Sequence, residues 1–130
     1  MARFTKGELE VMRILWKHGE MKPAEIQGHF PREIKNAALR SFLRVLVRKG
    51  HVTRRKMGKA FYYTAKTRQE NAFRSMLRYM VDAFCEGSTD VLFARLIRAK
   101  KLTDEDLLKL RRLAEESGAD VAEEKGSERG

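Results

Sequence analysis

The stretch Lys35-Asn-Ala-Ala-Leu-Arg-Ser-Phe-Leu-Arg-Val-Leu-Val-Arg-Lys-Gly50 carries the pattern that decides the fold. Stepping about 100° per residue, Leu39, Phe42, Leu43 and Leu46 share one stripe of a helix. Arg40, Arg44 and Arg48 share the opposite stripe, with the small residues Ala37 and Ser41 between them. One side of this helix packs, and the other presents guanidinium groups. The face lacks the glutamates at i±4 that commonly accompany solvated arginines.

Beyond Gly50 the period changes. His51-Val-Thr-Arg-Arg55 and Ala60-Phe-Tyr-Tyr-Thr64 are rich in β-branched and aromatic residues and flank Lys56-Met-Gly-Lys59. This predicts a β-hairpin with a basic tip. Before Lys35 the pattern is helical: Thr5-Lys-Gly-Glu8 has capping-box spacing, and Leu9, Met12, Leu15 and Trp16 recur at helical intervals as far as His18-Gly19. Pro23 suits the first position of a short second helix that buries Ile26 and Phe30. Two helices, a basic-faced third and a hairpin give the element order of a winged helix-turn-helix. Its expected core is Leu9, Met12, Trp16, Leu39, Phe42 and Leu46.

Downstream, Thr67-Arg-Gln-Glu70 again has capping-box spacing and opens a long helix to about Glu86, with Phe73, Met76, Leu77, Met80, Val81 and Phe84 in one stripe. Ser88 suits the cap of a further helix carrying Leu92, Phe93, Leu96 and Ile97. Thr103 with Asp104, Glu105 and Asp106 suits the start of a last one, striped by Leu107, Leu110 and Leu113. Three helices with this much apolar surface are too few to enclose it, which predicts self-association. The expected seam includes Phe73, Met76, Leu77, Met80, Phe84, Leu92, Phe93, Leu96 and Leu110. The organisation predicted is therefore mainly α: a winged-helix domain over 1–66, dimerisation helices over 67–116, and a polar, frayed tail over 117–130.

Charge narrows the partner class. The 130 residues hold 28 Lys+Arg and 18 Asp+Glu, a formal +10. Residues 1–66 hold 16 basic and 5 acidic side chains, whereas 67–116 hold 10 and 9. The excess sits on the winged-helix segment, as a module facing a polyanion requires. Arg40, Ser41 and Arg44 are the candidate base contacts, because a guanidinium placed in the major groove pairs bidentately with guanine O6 and N7. Arg48, Arg54, Arg55, Lys56 and Lys59 are the candidate phosphate contacts. Two other readings fit a basic winged helix, a protein-docking adaptor and an architectural binder indifferent to sequence.

Catalytic motifs are missing from the sequence. No H-E-x-x-H, G-x-S-x-G or phosphate-cradling glycine loop occurs, and His18, His29 and His51 fall on separate predicted elements. The single cysteine, Cys85, reads as a small buried hydrophobe, with a redox-sensing thiol as the alternative. No metal or cofactor is expected. Neither an apolar signal segment nor a run of about 20 apolar residues appears, so a cytoplasmic protein without membrane insertion is expected.

The segment Thr5-Lys-Gly-Glu-Leu-Glu-Val-Met-Arg-Ile-Leu-Trp16, the helix end Arg48-Lys-Gly-His-Val52 and the wing Gly58-Lys-Ala-Phe-Tyr-Tyr63 resemble the penicillinase repressor family of transcriptional regulators. The resemblance runs on through Gly87 and Leu102-Thr-Asp-Glu-Asp-Leu-Leu-Lys-Leu110. It implies a homodimeric repressor on a palindromic double-stranded operator, with interlocking C-terminal helices. In β-lactam-responsive members a protease linked to a membrane sensor cuts an Asn-Phe bond. Arg95 and Leu96 line up with that bond here, making them the candidate regulatory cleavage region and one that departs from the family's pattern. A buried stripe containing Leu96 is expected to shield the bond further. The paired cysteines of copper-responsive members are absent.

Overall fold

A computed structural model describes residues 3–117. The element order is α1 (Lys6–His18), α2 (Pro23–His29), α3 (Asn36–Lys49), β1 (Val52–Met57), β2 (Ala60–Ala65), α4 (Gln69–Phe84), α5 (Thr89–Lys100) and α6 (Asp104–Glu116). The mainly helical fold with a two-stranded antiparallel wing is the one predicted. The chain falls into two compact units that divide between Met80 and Val81.

In the first unit, Thr5 caps α1 in a reciprocal capping box: its hydroxyl accepts from the Glu8 amide, and the Glu8 carboxylate accepts from the Thr5 amide. Glu8 is buried, and the Lys49 ammonium lies 3.2 Å from the same oxygen. One carboxylate thus ties the start of α1 to the end of α3, its charge compensated where burial would otherwise penalise it. Where α1 and α3 cross, the ring of Phe42 lies against Gly7, and a Cβ at that position would collide with it.

The core is wider than the sequence pattern predicts. Met12, Leu15, Leu39 and Leu46 are buried as expected, while Leu9, Trp16 and Phe42 are half-buried at its margin. Val11, Ile14, Met21, Ile34, Val52 and Tyr63 join it. α1 is covered by α2, α3 and β2 together, so a broad arc of its surface is apolar. Met21 enters through backbone pairing: its amide and carbonyl exchange hydrogen bonds of 3.1 and 2.8 Å with Tyr63, adding one residue of a third strand. The turn before α3 is pinned by Gln27 Nε2 donating to the Ile34 carbonyl at 2.9 Å.

The expected Thr67 capping box shifts. α4 begins at Gln69, and the Thr67 hydroxyl lies 2.7 Å from His51 Nδ1, while the Thr67 carbonyl accepts from Trp16 Nε1 at 2.8 Å. Long-range partners have outcompeted the local cap.

In the second unit, Ser88 caps α5 and Thr103 caps α6 in a capping box with Asp106. The buried cluster is Val81, Cys85 and Leu92. Cys85 is a buried small hydrophobe, as its sequence context predicts. Phe84 (61% exposed), Phe93, Leu96, Ile97, Leu107, Leu108, Leu110 and Leu113 are all exposed. Two expectations are corrected by this. Leu92 is 7% exposed, packed inside its own chain rather than available to a partner. Leu96 is not shielded by its own chain, because three helices supply too few neighbours. The tail expected at 117–130 lies, apart from Ser117, outside the described residues.

Candidate nucleic-acid interface

α3 supplies the centre of the site. Its Leu39, Leu43 and Leu46 are buried, and the 3.6-residue period then sends Arg40, Ser41, Arg44 and Arg48 outward, where all four are exposed. Arg40 is held from within its own helix: its Nε donates to Asn36 Oδ1 at 2.7 Å. Asn36 was not among the sequence-predicted residues, although its i, i+4 spacing from Arg40 was readable.

The wing supplies the second wall. β1 and β2 pair with Arg54 opposite Tyr63, Arg55 opposite Tyr62 and Lys56 opposite Phe61. A two-residue turn, Gly58-Lys59, joins them, with Gly58 at φ 64°, the sign needed at the first position of a type II′ hairpin turn. Strand alternation now sorts the wing cations. Val52, Arg54 and Lys56 share one face with Phe61, Tyr63 and Ala65; Thr53, Arg55 and Met57 share the other with Tyr62 and Thr64. On the first face, the Arg54 guanidinium lies over the Phe61 ring, 4.5 Å from its centroid. Such a contact restrains the side chain while leaving its donors available.

Arg54 meets α3 across a cleft of about 220 Å³ lined by Arg40, Arg44, Val47, Arg54 and Tyr63. Its floor is apolar and its rim is three guanidinium groups. Arg40, Arg44, Arg48, Lys56 and Lys59 form no ion pair among the described residues. Cations left this way on a rigid concave surface make a site for a polyanion.

Arg55 stands apart. On the reverse face of the wing, its Nε and Nη2 donate to the two carboxylate oxygens of Glu20 at 2.8 and 2.7 Å, and Thr64 Oγ1 donates to the same carboxylate at 3.1 Å. The hydrogen bonds from Arg55 hold the Glu20 carboxyl below its ordinary pKa, and the same bonds raise that of Arg55. A bidentate pair of this kind fixes orientation. It fastens the wing to the turn after α1 and leaves the two Nη1 hydrogens and one on Nη2 of Arg55 for another ligand.

The histidines differ from the expectation of three separate surface residues. His18 and His29 stack with ring centroids 3.9 Å apart, because α1 and α2 end side by side. Partial burial, with His29 and Lys17 nearby, lowers the pKa of His18. His51 is half-buried against Phe4 and Thr67, and burial with Lys49 close by lowers its pKa as well.

In the second unit, Arg95 Nη1 donates to the Phe84 carbonyl at 2.6 Å, satisfying an acceptor that the end of α4 leaves open. Among the described residues no helix is long and apolar enough to cross a membrane.

A basic α3 beside a paired, basic wing defines a winged-helix DNA-binding regulator. Residues 4–116 match the penicillinase repressor family, and the chain belongs to it. It is 23% identical over 121 residues to the penicillinase repressor of Bacillus licheniformis, spanning 88% of this chain and 91% of that one. Among solved structures, the DNA-binding domain of the repressor BlaI superposes with a TM-score of 0.50 at 25% identity, covering 54% of this chain and 88% of that one. The YusO protein of Bacillus subtilis shares the fold over more of the length, at a TM-score of 0.53 and 22% identity, covering 88% of this chain and 74% of that one.

Proposed function

We propose that this protein is a cytoplasmic transcriptional repressor that binds a palindromic operator as a homodimer and blocks the promoter by occupying it. The observation that carries the reading is the convergence of Arg40, Arg44 and Arg54 on one cleft between α3 and the wing. Arg40, Ser41 and Arg44 face base edges in the major groove. Arg48, Arg54, Lys56 and Lys59 meet phosphates, and Arg55 adds what its remaining N–H groups can reach while it anchors the wing. The homodimer rests on the exposed apolar residues of α4, α5 and α6: Phe73, Leu77, Met80, Phe84, Phe93, Leu96 and Leu110 are uncovered by their own chain, with Met76 half-covered. Arg95-Leu96 is the region where a membrane-sensor-linked protease would act, and the cation at Arg95 disfavours a protease that selects Asn-Phe.

The test is a fluorescence titration against an operator selected from random duplexes. Arg44→Ala should weaken specific binding by about 1–3 kcal/mol and blur base preference, while Lys56→Ala should weaken all duplexes alike and reduce the salt slope by about one. Equal losses on selected and random DNA would favour the architectural binder. Affinity no better than that of any basic protein would favour the adaptor.

A further inference from the structure

We propose that Asn36 is a positioning residue for base reading, holding the Arg40 guanidinium so that its Nη1 and Nη2 donors select an acceptor-bearing base edge. The inference rests on the DNA-reading assignment above and adds a specificity-determining residue to it.

The argument begins with what arginine lacks. A guanidinium has five N–H donors and no acceptor, so the Asn36 atom 2.7 Å from Arg40 Nε is the carboxamide oxygen, and the amide orientation follows from the chemistry. The consequence is geometric. With Nε engaged, the guanidinium keeps its Nη1 and Nη2 donors for an external ligand and loses freedom about its long stem. Asn36 itself keeps two Nδ2 donors and the second lone pair of Oδ1.

Guanine offers two adjacent acceptors, O6 and N7, that match the two Nη donors. Asn36 is also the first residue of α3, and the N-terminal residues of a recognition helix are those that reach base edges. The pair therefore predicts guanine where Arg40 docks, with the strength of that preference dependent on Asn36.

The experiment is in vitro selection from randomised duplexes with the full chain, followed by titration of single-base variants of the enriched site. Wild type should enrich a guanine that Arg40→Ala no longer requires, a loss of roughly 5- to 150-fold in discrimination. Asn36→Ala should lower the same preference about three- to tenfold while leaving affinity for random DNA within about twofold. Asn36→Asp keeps an oxygen acceptor for Arg40 Nε and should retain the guanine, a rescue that a merely structural role for Asn36 would not give. In Asn36→Ala/Arg40→Ala the guanine preference should fall no further than in Arg40→Ala alone. Thermal melting of each variant checks that the exposed substitutions leave the fold intact.

An unchanged enriched sequence and unchanged base ratios for Asn36→Ala would overturn the inference and leave the repressor reading standing. A guanine preference lost in Asn36→Asp as fully as in Asn36→Ala would also overturn it, because the retained oxygen would then orient nothing. A wild-type protein that enriches no sequence would remove the DNA-reading assignment itself, and this inference with it.

Discussion

The two compact units of this chain meet the problem of burial in opposite ways. Up to Met80, thirteen residues from three helices, the segments joining them and a wing close a core around Met12, Leu39 and Leu43. From Val81 onward three residues form the buried cluster, and most of the large apolar side chains are exposed. The first unit has the means to be stable alone, since a closed apolar core is the main favourable contribution to folding. The second leaves its apolar faces open, as the proposed dimer requires. Exposed apolar area on this scale, on helices that are correctly capped and regular, is characteristic of an interface.

The largest expected effect lies on the exposed apolar faces of the second unit and of α4, where the dimer is proposed. Met80→Asp or Leu96→Asp would bury a carboxylate in the proposed dimer seam, weakening association by at least about 3 kcal/mol, more than a hundredfold. Sedimentation should then show a monomer at concentrations where wild type is dimeric. An unchanged dimer would place the seam elsewhere and break the contrast between the units.

Next in size is the core of the first unit. Leu43→Ala should cost about 2–5 kcal/mol, read from denaturant unfolding. The same truncation at Leu113, 60% exposed, should cost under about 0.5 kcal/mol when the protein is dilute enough to be monomeric. If Leu113→Ala were equally costly under those conditions, the second unit would be self-supporting after all.

A smaller effect probes the corner between α4 and α5. Arg95→Ala removes the donor to the Phe84 carbonyl and should loosen that corner by about 0.5–1.5 kcal/mol. Hydrogen exchange should quicken around residues 85–90, with α3 unaffected. Identical protection in both proteins would show that the bond contributes nothing.

The smallest concerns pH. The folded pKa of His51 lies below its ordinary value, so the unfolded chain takes up the proton first. Stability is therefore full above about pH 6.5 and falls as the pH drops from there toward the folded pKa. His51→Gln should flatten the dependence of Tm on pH just below about 6.5, with His18 supplying what slope remains. A slope unchanged by the substitution would remove His51 from the account.

The helices and wing were legible in the sequence because each repeats its own pattern: Leu39, Leu43 and Leu46 at period 3.6, and the hairpin around Gly58. The bridge of Met21 to Tyr63 was not, since a single residue of strand leaves no periodic trace. The stacking of His18 on His29 was equally hidden, as it depends on where two helices end. The exposed arginines of α3 could be read from the helical wheel, but the grouping of the wing cations needed the parity of the strand. That parity was available: Arg54 and Arg55 are neighbours in sequence and must project to opposite faces of a pleated ribbon. The role of Thr67 was lost to competition, because a nearby histidine and tryptophan took the groups that a local cap would have used.

That same parity constrains how the wing can change over evolutionary time. One residue inserted into β1 ahead of Arg54 would exchange the faces of every side chain beyond it, turning the guanidinium that grips Glu20 toward α3 and the one over Phe61 away from it. Two inserted residues would restore both. Length variation in this strand should therefore survive in even steps, with odd ones tolerated only where a bulge absorbs the extra residue. Variation at the Gly58-Lys59 tip escapes the rule, so the wing can lengthen its reach without losing its grip on the scaffold.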